Sequence, residues 1–215
     1  MKKGAPKLQK NENLALKNET LKTITNRHSI RSFADTPVSE EDILTLVDAA
    51  NKAPSAHNQQ SWHFIVIKGE KKHELVDLVN RKAVEFPKST SVLLRMASRS
   101  MASAPVVIAV ANTGELIEHG TKLFGVDFEL AHDFFRTMEI QSSAAAVENL
   151  LLAATSLGLA TVWLGILYLI KKEVLELLGE PGGEFMAVIP VGYPLKTTKG
   201  PEKLPLEMIV KTIEK

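Results

Sequence analysis

Two arginines and one serine alternate in a short polar stretch near the amino end of the chain. Single residues separate Arg27, Ser29 and Arg31, and in an extended segment such residues all point to one side. A guanidinium offers paired N–H donors to phosphate oxygens, and a serine hydroxyl adds another donor. The spacing is compatible with a phosphate clamp, and also with two surface arginines beside an unrelated serine.

A second polar stretch, Pro54–Trp62, separates a helical pattern from a strand pattern. Its sequence, PSAHNQQSW, is unfavourable in a helix interior. It therefore predicts a loop fixed at both ends, a setting in which loops often carry function. The amides of Asn58 and Gln60 both donate and accept hydrogen bonds, which suits a heterocycle with imide N–H and C=O groups, such as a flavin ring. An ordinary polar turn is the alternative.

Two later stretches offer backbone or positive charge to a ligand. Residues 159–166 predict a buried strand whose Gly165 would let a ligand approach the backbone closely. A loop over residues 196–203 carries three lysines, one of which could complete a phosphate site: Lys196, Lys199 and Lys203. A plain core strand and a solvated loop are the alternatives.

Composition excludes several kinds of site. With 26 Lys and Arg against 25 Asp and Glu, the formal net charge is +1, so no overall field attracts nucleic acid or an anionic membrane. The absence of cysteine excludes disulfides, cysteine metal sites and a thiol nucleophile, and it suits a reducing compartment. The 6 histidines are scattered, so no metal site is predicted.

The apolar run at residues 149–170 is long enough to cross a membrane. Gly158 interrupts it, and β-branched and aromatic residues follow, so it predicts a buried helix and then a buried strand. The amino end has positive charge but no apolar run behind it, so no secretory signal is expected. Residues 1–18 predict a flexible arm, residues 19–215 a single domain, and the expected location is cytoplasmic.

Helical patterns alternate with about four strand patterns along the chain. The strands are expected at residues 62–67, 105–111, 159–166 and 185–191, and a long helix at residues 131–157. Residues 112–130 are interpreted as a loop with mixed aromatics. These elements predict a layered α/β or α+β domain.

Several stretches, in this order, resemble the FMN-dependent nitroreductase family. The resemblance rests on RHSIRSF at 27–33, APSAHNQQSW at 53–62, ENLLLAA at 148–154, GLATVWLG at 158–165, PVGYP at 190–194 and KLPLE at 203–207. About half of the chain is covered, and the first two motifs are the most specific. Residues 70–138 contribute nothing to the resemblance.

The resemblance implies an α+β fold, with a central, mostly antiparallel sheet flanked by helices. It also implies an intertwined homodimer that binds FMN at the subunit interface. The phosphate and the ring edge would be held by Arg27, His28, Ser29, Arg31 and Lys203. The partner's loop would contribute Pro54, Ser55, Ala56, Asn58 and Gln60, and Leu164 and Gly165 would lie near the ring N5.

Two positions depart from the family pattern. Ser61 stands where proline is common, and Lys203 stands where arginine is frequent. A lysine ammonium could not bind the phosphate in the bidentate way that an arginine does.

The expected activity is hydride transfer from NAD(P)H through FMN N5 to a nitroaromatic, a quinone or a similar acceptor, with Lys203 beside the ring's N1 and O2 edge. No protein residue is expected to react covalently. An FMN carrier or sensor without turnover, and a flavoprotein that dehalogenates or fragments flavin, are the alternatives.

Overall fold

A computed structural model describes residues 17–180 and 182–213 of the chain. Of the expected arm, residues 1–16 lie outside the described residues. In these ranges the helices are α1 (Glu19–Asn26), α2 (Glu40–Asn51), α3 (Gly69–Ala83), α4 (Lys88–Ser103), α5 (Glu115–Leu123), α6 (Phe128–Ser156) and α7 (Lys171–Leu178). The strands are β1 (Trp62–Ile67), β2 (Val106–Asn112), β3 (Ala160–Thr161) and β4 (Glu184–Gly192).

The four strands form one sheet in the order β1-β2-β4-β3, and each neighbouring pair is antiparallel. Every residue of β2 is buried, because helices cover both faces of the sheet. Val107 and Ala109 of β2 face a core shared with α3, α4 and α7, whereas Ile108 and Val110 face a core shared with α2 and α6. The expected α+β fold with an antiparallel sheet is confirmed.

Side-chain caps set where three helices begin. The Asn18 side chain accepts a hydrogen bond from the Leu21 amide, and Ser39 accepts one from the Asp42 amide. Asp127 accepts from two amides at the start of α6, so this helix starts three residues before the expected position. Each cap satisfies amides that have no partner inside the helix.

The expectation of a loop over residues 112–130 is wrong, because α5 occupies Glu115–Leu123. Glycine at position 120 lowers helix propensity and conceals this helix in the sequence. The structure shows why glycine is there. A Cβ at Gly120 would come within 2.4 Å of the Phe135 ring on α6. The contact between two helices, and not local propensity, determines this residue.

The expected strand over residues 159–166 is also shorter than its composition suggests. Only Ala160 and Thr161 pair with β4, and a 3-10 helix, Gly165–Ile170, follows. The Leu164 amide still donates to the Val188 oxygen of β4 at 2.9 Å. The apolar residues here are therefore buried against β4 without continuing the ladder. No helix in the described ranges has the length and apolar character that crossing a membrane requires.

Candidate functional site

The arginine-containing segment lies along the outer edge of β3. Ser29 forms a parallel bridge with Thr161, and the Ile30 amide donates to the Thr161 oxygen at 3.0 Å. Phe33, which is buried, anchors the far end of the segment through a bridge to Pro194. The backbone is thus fixed, while the side chains of Ser29 and Arg31 are exposed.

A polar cavity of about 420 Å³ opens beside this segment. It is lined by Ser29, Ile30, Arg31, Ser32, Leu195, Lys196 and Thr198. The His28 ring connects Thr198, which lines this cavity, to the end of α1. Its Nδ1 lies 2.8 Å from the Asn26 oxygen and its Nε2 lies 3.0 Å from the Thr198 hydroxyl. The Asn26 oxygen can only accept, so in the neutral ring Nδ1 carries the proton and Nε2 accepts from the hydroxyl. Hydroxyls, a guanidinium and an ammonium together suit a phosphate group.

Arg31 also lines a second cavity, of about 300 Å³, whose other walls are largely apolar. Its remaining lining residues are Leu93, Met96, Ala97 and Ser100 of α4 and the stretch from Val162 to Ile166. A Cβ built at Gly165 would meet nothing within 4 Å, so this backbone is open to the cavity. The Arg31 guanidinium therefore lies between a polar cavity and an apolar one. The two cavities together suit a ligand with an anionic tail and a flat ring.

Arg27 contacts a residue on α6 instead of lining either cavity. Its Nε lies 3.2 Å from Oε1 of Glu148, and the two side chains are 22% and 48% exposed. The structure therefore brings Ser29 and Arg31 together with Leu164 and Gly165, and it places Arg27 beside them in an ion pair. Coulombic attraction to Glu148 competes with any phosphate for this guanidinium.

The loop before β1 contains three residues with left-handed backbone angles. His57, Asn58 and Gln60 have φ of 53°, 54° and 53°. Residues other than glycine rarely adopt this region. The Gln60 amide donates to the Ser55 hydroxyl at 3.1 Å, and the Ala56 amide donates to the Ser142 hydroxyl of α6 at 3.1 Å. Strain that is fixed by such contacts tends to occur at functional sites.

This loop lies far from the arginine segment within one chain. Ser29 pairs with Thr161, and the ladder continues through β4 to Val106, the first residue of β2. Trp62, at the end of the loop, pairs with Asn112, the last residue of β2. The two segments thus lie at opposite edges and opposite ends of the sheet, roughly 20 Å apart across the strands and roughly 20 Å apart along them by strand spacing and rise. Residues 54–60 line neither of the two cavities around Arg31.

Lys203 is exposed and is not among the residues that line the two cavities. The basic residue that the structure places beside Ser29 and Arg31 is Lys196, from the same loop. The sequence showed three candidate lysines, and only the pairing of this loop with the arginine segment distinguishes among them. The Leu195 amide, for example, donates to the Ser32 oxygen at 3.1 Å.

A buried polar cluster, which was not predicted from the sequence, lies between the loop before β1 and α5. Its members are Ser61, Asn112, Glu139, Ser142 and Ser143, all buried. A helical pattern could have indicated it, because Glu139, Ser142 and Ser143 fall on the apolar face of α6. Glu139 is 1% exposed and its Oε1 accepts from the Leu116 amide at 2.9 Å. Burial raises the pKa of this carboxyl, although the hydrogen bonds it accepts oppose the shift.

A third cavity, of about 380 Å³, lies beside α5. Gln59 and four residues of α5 line it: Glu115, Glu118, His119 and Lys122. The Lys122 ammonium, 2.7 Å from Glu118, lowers the pKa of that carboxyl. Because Gln59 lies between Asn58 and Gln60, this cavity adjoins the strained loop.

Comparison with known proteins agrees with this geometry. The model of the nitroreductase family matches residues 24–193. A protein of Archaeoglobus fulgidus, whose name places it among the NADH dehydrogenase/NAD(P)H nitroreductases, is 31% identical over 179 residues, 82% of this chain and 86% of its own. An FMN reductase (NAD(P)H) of Bacillus subtilis is 27% identical over 212 residues, 89% of this chain and 72% of its own.

Among solved structures, a nitroreductase with bound FMN from Desulfitobacterium hafniense is similar with a TM-score of 0.67. The two sequences are 26% identical, and the match covers 92% of this chain and 99% of that one. The motifs, the fold and these matches agree, and this chain belongs to the nitroreductase family.

Proposed function

We propose that the chain is an FMN-dependent NAD(P)H oxidoreductase that reduces a small acceptor such as a quinone or a nitroaromatic. The observation that carries this proposal is the position of Arg31, which lines a polar cavity and an apolar cavity at once. FMN has the same division, with a phosphate at one end and a flat ring at the other. The nitroreductase with bound FMN and the FMN reductase among the similar proteins support the assignment.

The residues around Arg31 fit the two ends of this cofactor. Ser29, Arg31 and Lys196 would hold the phosphate by charged hydrogen bonds. Leu93 and Met96, both exposed in the free chain, would cover apolar ring surface, and the open backbone at Gly165 would face the ring. When bound, FMN supplies the redox chemistry, taking a hydride from the nicotinamide and passing electrons to the acceptor. The protein supplies binding, orientation and exclusion of water.

A second copy of the chain would complete the site. Asn58 and Gln60 present amides that suit the ring's imide edge, but they lie on the order of 20 Å or more from Arg31's segment in their own chain. We infer a homodimer in which the Pro54–Gln60 loop reaches the partner's Arg31 cavities. The carboxyl-terminal stretch supports this, because it exposes a run of large apolar side chains: Leu204, Leu206, Met208, Ile209, Val210 and Ile213. Exposed apolar patches of this kind mark interfaces.

Arg27→Ala combined with Arg31→Ala tests the assignment of the phosphate site. We expect wild-type protein to purify yellow with one FMN per chain, and the double variant to bind FMN about a hundredfold more weakly or not at all. Loss of the paired hydrogen bonds of Arg31, together with the positive charge of Arg27 beside it, accounts for a change of that size. Flavin absorbance of the purified proteins and quenching of flavin fluorescence on titration measure both quantities.

Arg81→Ala combined with Arg95→Ala is the matched control, because both arginines are exposed and line neither cavity around Arg31. This control should keep its FMN. Stoichiometric FMN in the Arg27 and Arg31 double variant would contradict the site. Oxidation of NADH or NADPH in the presence of a quinone then tests turnover, and bound flavin that neither nucleotide reduces would favour an FMN carrier.

A further inference from the structure

The buried carboxyl of Glu139 connects α5 to the polar cluster beneath the strained loop. The residue before α5, Gly114, has no side chain to cap the helix. Glu139, from α6, performs that task, because its Oε1 accepts from the Leu116 amide in the first turn. A carboxylate or carboxyl group at a helix amino end satisfies amides that lack partners inside the helix.

The same cluster holds both ends of the strained loop. At the start of the loop, the Ala56 amide donates to the Ser142 hydroxyl, one turn beyond Glu139 on α6. At its end, the Ser61 oxygen accepts from the Thr113 amide at 3.2 Å, just before α5 begins. The Ser61 hydroxyl also lies near enough to Glu139 to lower its pKa, although it falls outside the geometry of a formed hydrogen bond. Glu139 is therefore placed between the loop and α5.

Three atoms of the buried polar cluster lower the free energy of unfolding because they lack hydrogen-bond partners. Within the described residues, Ser61 Oγ, Asn112 Nδ2 and Glu139 Oε2 are buried and have no hydrogen-bond partner. A buried polar atom without a partner lowers the stability of the fold relative to one with a partner. An apolar residue at position 139 would remove one of these atoms but would leave the Leu116 amide without its acceptor, so the inference rests on the position of Glu139 between α5 and the loop.

We propose that Glu139 is a positioning residue that holds the amino end of α5 and the Pro54–Gln60 loop in one arrangement. The inference rests on the proposed function, since this loop would carry the partner's flavin contacts. By positioning this loop, the Glu139 carboxyl sets FMN affinity through Asn58 and Gln60.

Glu139→Leu and Glu139→Gln separate this role from simple packing. Leucine fills the volume but cannot accept from the Leu116 amide, whereas the glutamine oxygen can. We expect the leucine variant to bind FMN about tenfold more weakly, a change that the loss of one hydrogen bond can produce. Glutamine should restore the FMN affinity to within about twofold. Glu129→Leu and Glu129→Gln, at an exposed position on the same helix, are the controls.

A pH profile gives a second readout that packing alone would not move. The titratable and charged groups on the surrounding elements include His57 in the loop, Glu115, Glu118, His119 and Lys122 on α5, Arg136 on α6 and Glu184 on β4. Glu184 adds to the rise in the pKa of Glu139 that burial causes. A raised folded pKa means that this carboxyl favours folding at low pH and opposes it as the pH rises through that pKa. Glutamine cannot ionise, so Glu139→Gln should match wild type at pH 4 and become the more stable protein as the pH rises.

Hydrogen exchange at the Leu116 amide completes the test and does not need flavin. We expect exchange to be faster in Glu139→Leu and protected in Glu139→Gln. Unchanged FMN affinity in a folded Glu139→Leu variant would overturn the proposal, whether or not exchange at Leu116 changes. If that variant does not fold, parallel stability profiles of wild type and Glu139→Gln from pH 4 to 9 would overturn it. A wild-type protein that binds no FMN would refute the proposed function instead, because the exchange and stability measurements would still report on Glu139.

Discussion

At the scale of single residues, the site depends on how charges are paired. Ser29 and Arg31 were recognisable in the sequence because alternation in an extended segment places them on one side. Arg27 shares that alternation, yet its guanidinium contacts Glu148. Glu139 could not be recognised in this way, because its partner, the Leu116 amide, lies 23 residues earlier in a helix that the sequence conceals. Local spacing predicts clusters within one segment, not contacts between segments.

Glu148→Gln is expected to strengthen FMN binding about threefold. Glu148 is half exposed, so its pair with Arg27 is worth less than about 1 kcal/mol, and removing the carboxylate also removes repulsion of the phosphate. The free energy of unfolding should change by less than about 0.5 kcal/mol. Fluorescence titration and urea unfolding measure the two quantities, with the exposed Glu41→Gln as control. Weaker FMN binding in Glu148→Gln would instead mean that Glu148 orients Arg27 for the phosphate.

At the scale of elements, the strands and most of the helices could be predicted, because hydrophobic periodicity and caps are local signals. The antiparallel pairing of the strands was expected only from the resemblance to the nitroreductase family. The two wrong predictions, a loop over residues 112–130 and a full strand over residues 159–166, have one cause. Helix α5 carries a glycine that its contact with Phe135 requires, and the stretch after β3 is apolar because β4 buries it. In both places a tertiary contact determines which type of residue is present, so the local pattern predicted the wrong element.

Gly120→Ala should separate α5 from α6. The added methyl group would overlap the Phe135 ring, which is 1% exposed and has little room to move, so we expect a loss of about 1–3 kcal/mol in the free energy of unfolding. Urea unfolding followed by circular dichroism measures it. Gly125→Ala, between the same two helices but open within 4 Å, should be neutral or slightly stabilising. Equal stability of the two variants would show that α5 does not pack as described.

At the scale of the whole molecule, the sequence motifs are divided between two distant parts of the sheet. Spacing alone gave no sign of this, and the expectation of a shared site came from the resemblance to the nitroreductase family. The strand register supplies a physical reason, because it places the Pro54–Gln60 loop and the Arg31 segment at opposite edges of one sheet. A ligand that needs both must lie between two copies of the chain.

A hybrid dimer tests this central claim most directly. One chain carries Arg27→Ala and Arg31→Ala, and the other carries Asn58→Gly and Gln60→Gly, since glycine accepts the left-handed backbone while removing the amides. The two chains, with different affinity tags, are co-expressed and the hybrid is isolated. Both variants alone should be colourless, whereas the hybrid should contain one FMN per two chains, because one of its two sites is intact. A hybrid without FMN, with both variants folded and dimeric, would contradict the shared site.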